Sequence, residues 1–254
     1  MFLVIRTAFT AFRANLGFFL FITGLFAALD VLSAVMDRRL GYFGVKIFLA
    51  MAVAMYAHRM VLLKERVAVA DTMLGFRHKS EKPPLGLFIL VASLFFAIGV
   101  GAMVVSHSVV SGHIPKSMHN NPGALVLLTS IPALFFQALV LAAVGTILPA
   151  AATGQTVGIA LAWQRGRQQF MRTLWRLISV NVLCILIYAV ILVGLVYLVR
   201  TLPARFEPVF EWSRLGINAV KDCILILITA TTLSLAYETS TAADQMRRAG
   251  SNRS

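Results

Sequence analysis

His107, His113 and His119 fall at six-residue intervals, with Met103 and Met118 beside them, and imidazole with thioether is a donor set that copper or zinc accepts. Their spacing matches no standard ligand motif, so the expectation is a solvated loop that contains histidine and holds no metal. Charges within apolar stretches are more informative, because each costs about 2.5 to 3.5 kcal/mol on insertion scales and therefore tends to find a partner. Asp30, Lys46, Lys221 and Asp222 lie toward one end of their apolar segments, and His58, Arg59 and Glu238 toward the other. A proton or ion path would need a member between these layers, yet no acidic residue falls near the middle of any segment. We therefore expect two rim clusters of ion pairs that staple a bundle, with Arg59 and Glu238 close together because they end equivalent segments. Gln137, Asn181 and Cys184 fall near mid-segment and suit interhelical packing, where such polar contacts are worth about 0.6 to 2 kcal/mol.

Other catalytic patterns are absent. The chain has no His-Glu-x-x-His, Gly-x-Ser-x-Gly, Walker loop or Cys-x-x-Cys, and no nucleophile with a nearby base can be named. An enzyme is not expected, and neither is a cofactor.

The elements that must position these residues follow from composition. Of 254 residues, 59% are hydrophobic and 13% charged, and the mean hydropathy is +0.84. A water-soluble domain has about 25% charged residues, so the main solvent of this chain is lipid. Six apolar segments are long enough to span, at about 16–35, 45–63, 85–110, 124–150, 174–199 and 215–237. The expected fold is all-α, a polytopic membrane bundle of six transmembrane helices in three hairpins, forming a single integral membrane domain over 1–254. Such a layout leaves short loops and no soluble domain. Arg6 and Arg13 precede the first segment, but Ala27-Ala28-Leu29-Asp30 is a poor cleavage site, so that segment reads as a retained helix. Cys184 and Cys223 both fall in apolar runs, where a thiol behaves as a small hydrophobe.

Amphipathic runs precede several of the spans. Phe2, Ile5, Phe9, Phe12 and Leu16 recur at helical spacing before the first, with Arg6 and Arg13 on another face. Val69, Met73 and Phe76 give a weaker version before the third. Before the fifth, Ile159, Trp163, Phe170 and Leu174 form a stripe, with Arg165, Arg167 and Arg172 elsewhere. A helix of that kind lies in the headgroup plane, so Thr156 to Arg172 is expected to be a separate, lipid-facing interfacial helix. The chain then reads as three repeats of interfacial helix plus hairpin. Gly99, Gly101, Ala133, Ala138, Ala142 and Gly145 would let the third and fourth spans approach closely.

Orientation follows from the basic residues. With the N-terminus inside, 15 of the 23 lysines and arginines face the cytoplasm and 8 face outward, which places both termini in the cytoplasm of a bacterial inner membrane. The net charge of +13 would suggest nucleic acid for a soluble protein. Here the basic residues flank apolar segments, so the expected partners are anionic phospholipids of the cytoplasmic leaflet and not nucleic acid. A membrane-protein partner or a second copy of the chain is a further expectation.

Ile147-Leu148-Pro149-Ala150-Ala151-Ala152-Thr153-Gly154, followed by Ala162-Trp163, Gly166 and Trp175-Arg176-Leu177, resembles a pattern of uncharacterised multi-pass bacterial proteins. These are similar to the membrane domain attached to some glycerophosphoryl diester phosphodiesterases, and Tyr56-Ala57-His58-Arg59 with Leu62-Leu63 resembles the same group. The resemblance implies a six-helix bundle and no established activity, since no phosphodiesterase domain is present. The leading expectation is a non-enzymatic structural, accessory or regulatory protein of the cell envelope. The alternative is a small-molecule or lipid transporter, for which the repeats, Pro132 and the rim charges would be the supporting features.

Overall fold

The computed structural model describes residues 1–35, 39–67, 85–113, 122–201 and 207–251. They form α1 (Phe2–Ala14), α2 (Leu16–Val35), α3 (Arg39–Leu62), α4 (Leu85–His113), α5 (Pro122–Val144), α6 (Ile147–Ala152), α7 (Ile159–Thr201) and α8 (Glu207–Ser251). No strand occurs among the described residues. Five helices hold apolar stretches long enough to cross a bilayer: Leu16–Val35, Gly44–Leu62, Leu85–Val110, Ile159–Leu198 and Trp212–Met246. In α5 the described apolar stretch is shorter, Ile131–Val144. The chain is thus a helical protein with several membrane-length apolar helices.

α8 is the centre of the bundle. Its apolar window is 56% buried against other helices, compared with 11% for that of α4. Around it, Phe19, Ile22 and Phe26 of α2, Val53 and Ala57 of α3, and Leu227, Ile228 and Ala230 of α8 form one core. Met55, Phe88, Phe95, Ala142, Leu177 and Leu233 form a second, which joins α3, α4, α5, α7 and α8. Contacts fix the directions of the helices. Lys46 meets Asp222 and His58 meets Ser234, pairs that advance by twelve residues on both helices, so α3 and α8 run parallel. Asp30 meets Lys46 while Phe18 stacks against Tyr56, so α2 runs antiparallel to α3. Tyr188 meets Asn218 and Arg165 meets Asp244, so α7 runs antiparallel to α8.

Two expectations about elements are corrected. The apolar run expected to span 124–150 breaks at Gly145–Thr146, and Ile147–Ala152 forms the separate helix α6. Pro149 supplies the physical cause: its ring crowds the carbonyl four residues earlier, at Gly145, and it has no N–H to bond there. By contrast, Pro132 lies within an unbroken α5. The second correction concerns α7, where the amphipathic run and the fifth span are one helix of 43 residues. At 1.5 Å per residue it is about 64 Å long, twice a hydrocarbon core of about 30 Å.

The structure also turns a different stripe of α7 toward the protein. Ala162, Gly166, Thr173, Leu177 and Val180 are buried, while Ile159, Trp163, Arg167 and Arg172 are exposed and Phe170 is half-buried. A Cβ at Gly166 would overlap the Ala143 carbonyl, so the backbones of α7 and α5 touch there. α1 is a separate helix, as its stripe suggests, joined to α2 by the single residue Asn15. Val4, Ala8 and Ala11 face the bundle, and Phe2, Ile5, Phe9, Arg6 and Arg13 are exposed. The stripe Val69, Met73 and Phe76, together with Met118 and His119, lies outside the described residues.

Candidate functional site

Two polar layers cross the bundle, one at the Lys46 level and one at the His58 level. Twelve residues separate them on α3 and on α8, which is about 18 Å of helix rise. That separation is less than the thickness of a hydrocarbon core, about 30 Å.

In the first layer, the Lys46 ammonium donates to both carboxylate oxygens of Asp30, at 2.8 and 2.9 Å. It also lies 3.0 Å from Asp222 and 5.6 Å from the centre of the Phe26 ring. Lys221 lies 3.3 Å from Asp222 and 4.8 Å from the centre of the Tyr188 ring. The Tyr188 hydroxyl donates to the side-chain Oδ1 of Asn218, and the Thr23 hydroxyl donates to Cys223 Sγ at 3.4 Å. One lysine thus holds α2, α3 and α8 together, where three unpaired charges would be costly. An open cavity of about 530 Å³ lies beside it, between α2, α3 and α8.

Replacing Lys46 by glutamine is expected to destabilise the protein by about 2 kcal/mol, because Asp30 and Asp222 would then face each other without a cation. Part of the full cost of a broken buried pair is absent, since these side chains keep 19% to 29% of their surface exposed. Lys46→Gln with Asp30→Asn should recover part of the loss in thermal unfolding in detergent. Strictly additive losses would show that the two groups do not interact.

The second layer is built around Arg59. α3 ends at Leu62, and Lys64 takes a left-handed conformation with φ of 53°. That reversal brings Glu65 back to Arg59, which it meets through two bonds, Nε to Oε2 at 2.8 Å and Nη2 to Oε1 at 2.6 Å. Arg59 Nη1 also donates to the Ala152 carbonyl at 3.3 Å, satisfying a group in the last turn of α6. The Asn15 side chain accepts from the Val67 N–H at 2.7 Å and donates to the Ala11 carbonyl at 3.0 Å. The joint between α1 and α2 is therefore pinned to the chain that follows α3.

Beyond α6, Gly154 has φ of 78°, the Gly154 N–H bonds the Ala151 carbonyl, and the Gln155 N–H bonds the Ala150 carbonyl. Glycine suits this left-handed helix cap. It presents the Gln155 side chain to the Tyr237 hydroxyl, which donates to it at 2.6 Å. Arg165 lies 5.5 Å from the Tyr237 ring centre and donates to Asp244 at 3.0 Å. His58, 1% exposed, shares a 2.9 Å hydrogen bond with the Ser234 hydroxyl.

Among the residues singled out by sequence, Asp30, Lys46, Lys221 and Asp222 come together in the first layer. Arg59 and Glu238 do not pair: Arg59 is taken by Glu65, and Glu238 is exposed. Arg165, expected to face lipid, is turned to Asp244 and Tyr237 instead. Gln137 packs over Gly99, with its amide 3.2 Å from where a Cβ would stand. Asn15, Glu65, Gly166, Ser234 and Asp244 were missed as structural contacts. Of these, Gly166 alone had a local signal, Ala162 four residues earlier, which is the small-residue spacing of close helix pairs.

No group of three metal-binding side chains occurs among the described residues, and His107 is exposed on α4. Chemically, the two layers brace helices: their hydrogen bonds and ion pairs join groups of the chain itself. No protein-family model, curated protein or solved structure matches this chain.

Proposed function

We propose that the chain is a six-span protein of a bacterial inner membrane, arranged as three hairpins with both termini in the cytoplasm, and that it serves as a non-enzymatic accessory or regulatory protein of the envelope. One observation carries this reading: the charged groups Asp30, Lys46, Asp222, Lys221 and Arg59 are engaged by other groups of the chain, and an apolar layer separates the two levels. Phe19, Ile22, Phe26, Val53, Leu227 and Ile228 are buried between those levels. A carrier needs polar groups that change partners along a path, whereas a brace needs groups that keep theirs. α5, with 23 residues, is the remaining span.

The cytoplasmic side is the side of Arg59, where basic residues are in excess. There the exposed Phe2 and Phe9 of α1 and Trp163 of α7 suit the acyl boundary, and the exposed Arg6, Arg13, Arg167 and Arg172 suit anionic headgroups. The unusually long α7 and α8 extend beyond the core on this side and offer a surface to a protein partner or a second copy.

A topology reporter active only outside the cytoplasm should be silent after Gly154 and at Ser254, and active within Ser111 to Gly123. The opposite pattern would refute the orientation. The role itself is tested by purification of the full chain in mild detergent from its native membrane, where a partner in fixed stoichiometry is expected. Recovery of the chain alone, with substrate-dependent flux after reconstitution into vesicles, would replace the accessory reading by a transport one.

A further inference from the structure

We infer that the cavity between the end of α5 and the first half of α7 is a saturable site for one anionic phospholipid, held by its phosphodiester. Such a site presumes the lipid partners proposed for this side and narrows general attraction to one bound molecule. The cavity holds about 590 Å³, and its walls include Ala143 of α5 with Trp163, Arg167, Phe170, Met171 and Arg172 of α7. Close backbone contact defines the cleft: α5 meets α7 at Gly166 and ends one residue after Ala143. α7 continues toward the cytoplasm, so Trp163 stands almost a turn beyond the contact. Trp163, Arg167, Phe170 and Met171 recur at spacings of four, three and one, which puts them on one face of α7.

Charge selects the ligand. Arg165 of the same helix is held by Asp244, but Arg167 and Arg172 meet no carboxylate among the described residues, and none of the described residues lining the cavity is acidic. Two exposed guanidinium groups without a counter-charge favour an anion, and their planar forks match phosphate oxygens. Side chains on a helix lean toward its start, here the cytoplasmic end, so both groups lean out of the core. Trp163, Phe170 and Met171 add apolar surface that inorganic phosphate leaves unused, whereas a lipid glycerol with the start of its acyl chains covers it. Height agrees with this ligand. Tyr188 of α7 belongs to the first polar layer, whose Lys46 stands two residues after the start of the apolar stretch of α3. Arg167 is twenty-one residues from Tyr188, about 32 Å of helix rise. A hydrocarbon core is about 30 Å thick, so Arg167 reaches the headgroups of the opposite leaflet.

The test uses the full chain, delipidated in mild detergent, with calorimetric titration of dihexanoyl phosphatidylglycerol, dihexanoyl phosphatidylcholine, dihexanoylglycerol and inorganic phosphate in parallel. Saturable binding of the phosphatidylglycerol is expected, at least five-fold tighter than that of the phosphatidylcholine, with no binding of dihexanoylglycerol. Arg167→Gln and Arg172→Gln should each weaken it at least five-fold, and Trp163→Ala should weaken it as well. Arg66→Gln removes the same charge from an exposed residue that does not line the cavity, and should change binding less than two-fold. Both cavity arginines are exposed, so the lipid-free unfolding midpoints of their variants should match that of the parent chain. Inorganic phosphate binding as tightly as the phospholipid, with the same response to the variants, would support the anion site and overturn its lipid occupant. Uptake that does not saturate, or that falls equally with Arg66→Gln, would leave the general attraction of this side in place and overturn the site.

Discussion

Gly166→Ala is expected to destabilise the protein by about 3 kcal/mol, among the largest effects of any single methyl group in this chain. In an isolated helix the same change would stabilise, since alanine exceeds glycine in helix propensity by about 1 kcal/mol. Here the added Cβ would overlap the Ala143 carbonyl and crowd the Ala142 carbonyl, both of them backbone atoms. Backbone held in α5 cannot swing aside as a side-chain tip can, so α7 must move away from α5 or the site must unfold. Separation would also loosen the packing of Ala162 and Thr173, which are buried on the same face. Gly194 and Gly216 provide the control, because nothing lies within 4 Å of a Cβ at either position. Alanine there should be neutral or slightly stabilising. Thermal unfolding of the three variants in one detergent decides the matter, and equal midpoints for Gly166→Ala and Gly194→Ala would show that α5 and α7 do not make this contact.

What the sequence reveals and what it hides have separate physical causes. Leu16–Val35 and Leu85–Val110 are legible to the residue, because an uninterrupted apolar run of 20 to 26 residues has one stable solution in lipid, a hydrogen-bonded helix. The end of α5 is not legible by hydropathy, since Ile147 to Ala152 is as apolar as what precedes it. Only the clash of the Pro149 ring one turn back marks the break. In α7 the arginines suggest a change of direction, but no proline or other strong breaker stands between Ile159 and Thr201 to enforce one.

The layers show the same division. Lys46, Asp30 and Asp222 stand out because charges are rare in apolar runs, and lone charges there are costly. Glu65 does not stand out. It lies six residues after Arg59, a spacing that no continuous helix makes adjacent, and it reaches Arg59 only because Lys64 turns left-handed. Lysine gives no sequence signal for that turn, so the sequence points instead to Glu238, which ends the equivalent segment.

Arg59→Met is therefore expected to cost about 3 kcal/mol, more than the loss at Lys46, because Arg59 is 7% exposed and anchors two elements at once. Glu65 would lose both of its bonds to the guanidinium, and the Ala152 carbonyl its donor. Glu65 keeps 29% of its side-chain surface exposed, so water can recover part of its solvation. Ala152 is fully buried, and its carbonyl has no such recourse. Arg59→Lys separates the two contributions: it keeps the charge but cannot form the paired bonds to Glu65 while reaching Ala152, so its stability should fall between methionine and arginine. Glu65→Gln should cost less than Arg59→Met, and in the double variant the losses should fall short of their sum by at least about 1 kcal/mol, since each substitution removes the same pair. The loosening should be local as well as global. With Arg59 gone, α6 is released from the end of α3, so hydrogen exchange should rise first at Ala150 to Gln155, before the amides of α2 and the middle of α8. Full additivity of the two substitutions, with unchanged exchange in α6, would show that the Arg59 bonds do not hold this end of the bundle.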